Sequence, residues 1–259
     1  MPEPKIDIAP LIMVSNEEYF LPYVLSAIRG RFDKYVAYSV GSEDRTVDIL
    51  NWFREVEGAN KVDIRIFPML SREVQLELRN SMILAACSKY YLLVDGDEVF
   101  SYEALNSLLG YKERAVGLAQ LKENVITEMQ KNDSLYGVCR RKEMNYELTH
   151  QYTEIRTHHR IYDRMAYWAG RHPGETPAIP QNKNTETPFP NILIHHFHNT
   201  LRSSKEDVAL KRMERKAQKT YHPGELKPFN LLDELPILRT RVENFPVSPV
   251  LEKLWDAND

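Results

Sequence analysis

The amino-acid sequence predicts an α/β fold: a Rossmann-like, mostly parallel central sheet flanked by helices, with a C-terminal helical extension that wraps the core. Three observations predict it. The first 120 residues alternate short apolar runs with longer amphipathic segments, polar clusters follow the apolar runs, and the pattern loosens from about residue 121. A chain of 259 residues that is 42% hydrophobic and 27% charged can bury one good-sized core.

Short apolar runs predict four strands, and the segments between them predict three helices. The strands fall at residues 9–14, 35–40, 62–67 and 90–94, and the helices at 17–28, 45–53 and 71–87. In the first helix, Phe20, Val24 and Ile28 recur at helical spacing. Asp44 or Ser42 is placed to cap the second helix. Regular alternation of strand and helix predicts a parallel sheet covered on both faces.

The second half of the chain is less periodic. We predict further strands at 137–141, 160–170 and 191–199, a Pro- and Asn-rich loop at 176–190, and a basic helix at 203–221. Prolines spread among short apolar pieces after that helix predict a tail that packs around the core.

Composition and charge exclude some classes of protein. A formal charge of −3 gives no whole-molecule attraction to nucleic acid or to an anionic membrane. The chain has neither a secretory signal nor an apolar run near the roughly 18–20 residues that span a bilayer. We therefore expect a cytoplasmic protein with no membrane span, in which Cys87 and Cys139 are free, buried thiols. Its oligomeric state is left open.

Three polar clusters follow predicted strands: "SNEE" after the first, "GSEDRT" after the second and "DGDE" after the fourth. Ligands of such sheets bind outside the carboxyl ends of the strands. A solvated loop would explain any one cluster, but three at the same edge indicate a binding site.

The "DGDE" cluster places Asp95, Asp97 and Glu98 directly after a buried strand, where their repulsion requires a positive partner. Two carboxylates separated by one small residue can reach a single divalent ion, and Mg²⁺ and Mn²⁺ prefer such oxygens. Gly96 would permit close approach of a diphosphate and an unusual backbone angle. Alternatively Asp95 caps the next helix, although Ser101 is better placed to do so.

Together with their flanking segments, these motifs resemble family 2 glycosyltransferases of the GT-A fold. The matching pieces, in chain order over residues 10–200, are Asn16-Glu17, Gly41-Ser42-Glu43-Asp44-Arg45-Thr46, Arg79-Asn80, Asp95-Gly96-Asp97 and Arg160…Arg164…Gly170-Arg171-His172…Glu175.

The resemblance implies metal-dependent transfer of a sugar, with inversion, from a nucleotide-diphosphate donor to an acceptor hydroxyl, with Mn²⁺ or Mg²⁺ as cofactor. The residues it places around the nucleotide sugar are Val14, Asn16, Glu17, Ser39, Ser42, Arg79, Asp95 and Gly96. One departure concerns the base: Ser39 and Val40 stand where the family has paired aspartates. The identity of the nucleotide is therefore left open.

Seven of the eight histidines lie between residues 150 and 198. Strand alternation in "ILIHHFHN" places His196 and His198 on one face and His195 on the other. The resemblance implies that Asp97 ligates the metal, that Asp95 contacts the ribose or a metal-bound water, and that a histidine here completes the shell. Ordinary half-buried histidines are the alternative, and no Cys or HExxH pattern supports zinc.

The segment "GRHPGE", with His172 and Glu175, is where the resemblance places the catalytic groups. An inverting transfer needs a carboxylate to deprotonate the acceptor hydroxyl, and Glu175 is our candidate for that base. Glu154 and Asp163 are the fallback candidates.

We therefore divide the chain into a nucleotide-sugar-binding half (1–120), an acceptor and catalytic half (121–200) and a basic, Pro-rich extension (201–259). The basic helix is a solvated surface, a lid on the diphosphate, or a patch for an anionic acceptor such as modified DNA. The acceptor, a glycan, a small molecule or a modified nucleic acid, is left open.

Two other functions compete with this one. The absence of the family's paired aspartates, which Ser39 and Val40 replace, favours a degenerate GT-A fold that serves as a binding module. The intact D-G-D motif argues against a binding module. A nucleotidyltransferase would carry a Gly-rich, basic loop after the first strand, and "SNEEYF" is acidic.

Overall fold

The computed structural model describes residues 7–101, 136–144, 147–152, 156–168, 186–198, 200–205 and 225–258. Within these ranges the longest helix has 15 residues, and none combines the length and the apolar character that crossing a membrane requires.

The first half of the chain forms a parallel sheet with helical crossovers. Its strands are β1 (Ile8–Val14), β2 (Tyr35–Val40), β3 (Val62–Phe67) and β4 (Tyr90–Val94), and its helices are α1 (Leu21–Ile28), α2 (Thr46–Glu57) and α3 (Arg72–Ala86). The strands pair in parallel in the order β3-β2-β1-β4. The predicted α/β fold class is confirmed.

Side chains of these strands alternate between two hydrophobic cores, one on each face of the sheet. In β1, Ile12 and Val14 join the core under α1 and α2, whereas Leu11 joins the core under α3. Both faces of β1, β2 and β4 are thus covered, which explains why these strands are nearly continuous apolar runs. The edge strand β3 alternates apolar and charged residues and is partly exposed.

The second half extends the sheet beyond β4. Its strands are β5 (Glu98–Phe100), β6 (Tyr136–Glu143), β8 (Arg156–Asp163) and β9 (Glu186–His196), while β7 (His150–Tyr152) and β10 (Leu226–Pro228) form a separate pair. The order runs β4-β8-β6-β9-β5, and four of the seven pairings of the large sheet are parallel. Only three residues join β4 to β5, yet three strands lie between them. This part of the sheet must therefore curl round, which brings the end of β9 to the turn after β4.

The C-terminal segment packs over the face that α1 and α2 cover. It contains α4 (Leu231–Glu234), a 3₁₀ helix (Pro236–Arg239) and α5 (Pro249–Asp256). Leu232, Leu238, Phe245 and Leu251 are buried there in the core that also holds α1. The predicted wrapping tail is confirmed.

Several predicted boundaries are wrong. The first helix begins at Leu21 rather than residue 17, because residues 17–20 form the turn that enters it. The strand predicted at 160–170 is Arg156–Asp163, and it ends where the Asp163 carboxylate accepts a hydrogen bond from the Met165 N–H. Residues 186–190, predicted as loop, belong to β9.

Two further predictions are corrected. Residues 203–205 are not helical, and 206–224 lie outside the described residues, so the basic helix cannot begin at 203. Cys87, predicted as buried, is exposed, and it lies at the C-terminal end of α3 with φ 53°.

Candidate active site

The predicted polar clusters meet at the carboxyl edge of the sheet, beside β1 and β4. The strand order reverses at β1, and ligands of open α/β sheets bind at such a point. Asn16 has φ 52°, and its side-chain oxygen accepts the Glu43 N–H at 2.8 Å. Ser42 Oγ accepts the Asn16 N–H at 3.3 Å and lies 2.8 Å from Ser39 Oγ. The loops after β1 and β2 are therefore linked by hydrogen bonds.

Asp44 and Glu18 fasten the segment 200–205 to the same loops. Asp44 accepts the Thr46 N–H at 2.9 Å, the helix-capping contact expected for α2, and its other oxygen accepts the Ser203 hydroxyl at 2.6 Å. Glu18 accepts the Ser204 N–H at 2.6 Å. These bonds hold the segment in place over the edge of the sheet.

Gly96 is required by packing and not by backbone conformation. The described glycines with positive φ are Gly30, Gly41 and Gly58. The prediction of an unusual backbone angle at Gly96 is therefore wrong. A Cβ at Gly96 would lie 2.8 Å from Glu17 Cγ and 2.9 Å from Val14 Cγ1. The glycine therefore lets the turn after β4 approach the turn after β1.

Arg160 on β8 neutralises the first part of the acidic turn. Its Nε and Nη2 donate to the two oxygens of Glu98 at 2.7 and 2.5 Å, and Nη2 also donates to Asp95 at 2.9 Å. Arg160 and Glu98 are buried, whereas 35% of the Asp95 side chain is exposed. Of the two D-G-D carboxylates, Asp95 is thus the one directed at solvent.

Arg202 neutralises the second part. Its Nη1 donates to Asp97 Oδ2 and forms an ion pair with Glu17 Oε1 at 2.9 Å, and all three side chains are buried. Burial raises the pKa of Asp97, but the charges of Arg202 and His196 outweigh it and hold that pKa well below its ordinary value. Burial raises the pKa of Glu17 well above its ordinary value despite Arg202, and the charge of Asp97 adds to the effect. Asp97 is therefore the charged partner.

Two histidines face the same oxygen of Asp97. His196 Nε2 lies 3.5 Å and His198 Nδ1 3.6 Å from Asp97 Oδ2, and the two rings stack with centroids 5.0 Å apart. His195 points to the opposite side, where its Nε2 is 2.9 Å from Glu234 Oε2. The distribution of histidines between the faces is the one expected from alternation.

The Asp97–His196–His198 group fits a divalent cation. Its three ligand atoms all lie within 4.8 Å of one another. Two ligands each about 2.1 Å from one ion lie about 3 to 3.5 Å apart, close to the two nitrogen–oxygen distances here. Asp95 is not part of this group, and one of its carboxylate oxygens accepts from Arg160. These three residues would hold the metal ion that the sequence motifs imply.

Arg79 lies on the α3 side of the same edge. Its guanidinium stacks 5.5 Å from the centre of the Trp168 ring, and a shallow pocket there is bordered by Arg79, Asp95, Met13 and Trp168. The neighbouring Asn80 fixes Trp168 by donating to its carbonyl and accepting its N–H, both at 2.8 Å. Arg79 is thereby held beside Asp95.

The candidate bases are not brought to this edge within the described residues. His172, Glu175 and Glu154 lie outside those residues. Asp163 pairs with Tyr90, the first residue of β4, which is the amino end of that strand. Asp163 is therefore at the wrong edge of the sheet to act as a base beside Asp97.

Sequence reasoning missed the positive partners of the acidic turn. It identified Arg160 only as part of a motif, and it assigned Arg202 to no site. The three acids Asp95, Asp97 and Glu98 indicate that a positive charge must lie nearby. Which arginines supply it depends on contacts between residues 62 and 105 positions apart along the chain. No periodic pattern marks them.

The strand order and the acidic turn after β4 give the chain the GT-A fold. Two solved structures with this fold are similar to it. The chain aligns over 98% of its length with 70% of the mannosyltransferase PcManGT from Pyrobaculum calidifontis, in complex with GDP-Man and Mn²⁺, at 11% identity and a TM-score of 0.52. It aligns over 90% of its length with 65% of S. aureus TarS 1-349 in complex with UDP-GlcNAc, at 13% identity and a TM-score of 0.51.

The chain spans 61% to 66% of the TarS 1-349 structures that it matches. No family model and no curated protein sequence matches it. The likeness at these identities concerns the fold.

Proposed function

We propose that the protein is a glycosyltransferase that uses a nucleotide-diphosphate sugar and a divalent cation, and transfers the sugar with inversion to an acceptor hydroxyl. The observation that carries the proposal is the convergence of Asp97, His196 and His198 on one point at the carboxyl edge of a GT-A sheet. Similar folds bind GDP-Man with Mn²⁺ and UDP-GlcNAc.

The residues of this edge have distinct proposed roles. A divalent cation at Asp97 supplies positive charge that offsets the charge developing on the diphosphate leaving group. Arg79 provides a planar donor fork for the diphosphate or the base, and the partly exposed Asp95 faces the ribose. Val14, Gly96 and the bonded Asn16–Ser42–Ser39 chain shape the wall of the nucleotide pocket.

The donor set favours Mn²⁺ over Mg²⁺. Two of its three ligands are imidazoles, whereas Mg²⁺ prefers oxygen ligands and an octahedral shell rich in water. We therefore propose Mn²⁺ as the better cofactor. For the acceptor, we propose Glu175 as the base that removes the hydroxyl proton.

Thermal unfolding with and without ligands tests this function. Mn²⁺ should raise the melting temperature of the protein in the presence of UDP or GDP, and Asp97→Asn should abolish that increase. Asp233→Asn is the matched control, because Asp233 is an exposed acid that pairs with Arg239. An Asp97→Asn protein that keeps the increase would show that the cation binds elsewhere.

A screen of nucleotide sugars for Mn²⁺-dependent hydrolysis without acceptor distinguishes the enzyme from a binding module. The enzyme should hydrolyse one of them slowly, since water replaces the acceptor. Glu175→Gln should bind that donor as tightly as the wild type and lose turnover. Donor binding without any turnover, with every acceptor class tried, would favour the binding module.

A further inference from the structure

The backbone at Arg202 is anchored, so its side chain is the part that can change position. The Arg202 carbonyl accepts the Tyr19 N–H at 3.0 Å. The next two residues are held by the Ser203–Asp44 and Ser204–Glu18 hydrogen bonds. A movement of the guanidinium by side-chain rotation therefore needs no rearrangement of the fold.

Arg202 and a divalent cation would compete for one atom. Arg202 Nη1 donates to Asp97 Oδ2, and this is the same oxygen that His196 Nε2 and His198 Nδ1 face. A cation in contact with that oxygen and with the histidines would lie against the guanidinium. Like charges at such a distance repel strongly in a buried site. The guanidinium and a cation therefore cannot both contact Asp97 Oδ2.

Glu17 offers the guanidinium a second position. Its Oε1 already forms an ion pair with Arg202 Nη1 at 2.9 Å. Its Oε2 and Arg202 Nη2 are both buried and have no hydrogen-bond partner among the described residues. Two parallel N–H groups of a guanidinium match the two oxygens of a carboxylate, which is the form that Glu17 takes in this arrangement. A rotation toward Glu17 would therefore pair both of these atoms.

We propose that Arg202 is a built-in competitor of the divalent cation, which holds Asp97 in the cation-free protein and withdraws to Glu17 when a cation binds. This inference rests on the proposed function, because it concerns the same cation site. Arg202 is a positioning residue in this scheme: it sets the cation affinity of Asp97 through a contact that the cation must break.

Mn²⁺ binding to the full chain, followed by the electron paramagnetic resonance signal of free Mn²⁺, tests the proposal without an activity assay. Arg202→Gln should tighten Mn²⁺ binding by about tenfold or more, since a charge-assisted hydrogen bond no longer has to be broken. The Mn²⁺ affinity of Arg202→Lys should lie between those of the wild type and Arg202→Gln, because an ammonium group keeps the charge but lacks the two parallel N–H donors of a guanidinium. Arg239→Gln, which removes an exposed arginine, should leave binding unchanged.

Glu17→Gln provides an independent test. It should weaken Mn²⁺ binding in the wild-type background, because an amide has one acceptor oxygen and leaves Arg202 on Asp97. In the Arg202→Gln background the same substitution should have no effect. Equal weakening in both backgrounds would instead mean that Glu17 acts on the cation directly.

The outcomes separate this inference from the proposed function. If the wild type binds Mn²⁺ and neither Arg202 variant binds it more tightly, Arg202 is a fixed structural partner and the inference is overturned. If neither the wild type nor any folded variant binds Mn²⁺, the cation site of the proposed function is refuted, and the inference about Arg202 is refuted with it. Circular dichroism at the assay temperature verifies that each variant is folded.

Discussion

Arg160 and Glu98 form a buried bidentate ion pair between β8 and the first residue of β5, with donor–acceptor distances of 2.7 and 2.5 Å. The pair lies at the candidate site, within the curled half of the sheet. Arg160 also donates at 2.9 Å to Asp95, which directly follows β4, and this contact links the curled half to the parallel half. Burial disfavours the charged form of Arg160, but Glu98 and Asp95 outweigh it and raise its pKa well above the ordinary value.

Arg160→Met should destabilise the protein by about 3–5 kcal/mol, because it leaves Glu98 as a buried charge without this partner. The double variant Arg160→Met/Glu98→Leu should lose less, since two apolar side chains replace the whole pair. Urea unfolding at neutral pH measures both. The exposed Arg239–Asp233 pair is the control, and Arg239→Gln should cost less than about 1 kcal/mol. A double variant less stable than the single one would contradict this account.

Gly96→Ala should disturb the site through packing. The added methyl group would meet Glu17 and Val14 at 2.8 to 2.9 Å, so Glu17 must shift, at a cost of about 1–3 kcal/mol. We expect altered Mn²⁺ binding as well, because Glu17 contacts Arg202. Gly30→Ala is the matched control: it has φ 72° and no atom within 4 Å, so it should cost stability alone. Calorimetry and Mn²⁺ titration of both variants check this.

The parallel half of the fold was predictable because β1, β2 and β4 are buried on both faces and appear as apolar runs, and the edge strand β3 alternates apolar and charged residues. The curled half was not. Its strand β9 begins with "ETPFP", whose two prolines favour a loop assignment, yet residues 186–189 pair in parallel with β6. The acids of the site could be predicted because they directly follow predicted strands. The histidines could be predicted from the alternation of side chains along a strand. Arg160 and Arg202 could not, because a buried arginine is specified by tertiary contacts that leave no local pattern.

Acid should destabilise the protein in two steps through the His195–Glu234 contact. Burial lowers the pKa of His195 below its ordinary 6.5, although Glu234 opposes the shift. The unfolded chain therefore takes up a proton that the folded protein resists, and stability falls as pH drops below 6.5. The hydrogen bond from His195 lowers the pKa of Glu234 from 4.5 to about 2, and Lys142 adds to the effect. This second contribution is present above pH 4.5 and is lost as pH falls toward 2.

His195→Gln should remove the first step and reduce the second, because the imidazole that lowers the pKa of Glu234 most is gone and Lys142 remains. Urea midpoints measured from about pH 7.5 to about pH 5 should fall for the wild type and stay flatter for the variant. Glu234→Gln should keep the decline that begins at pH 6.5. A wild-type midpoint that is constant over this range would show that His195 has no lowered pKa.

Arg79→Gln should weaken the binding of UDP or GDP by about tenfold or more, because the loss of a charge-assisted hydrogen bond to a phosphate has about that effect. Arg65→Gln is a matched control. Both arginines stack on an aromatic ring, Arg79 on Trp168 at 5.5 Å and Arg65 on Tyr38 at 5.3 Å, but Arg79 alone borders the pocket with Asp95. Isothermal titration of the two variants with the nucleotide and Mn²⁺ measures the difference. Equal losses in both variants would show that Arg79 stabilises α3 and does not contact the donor.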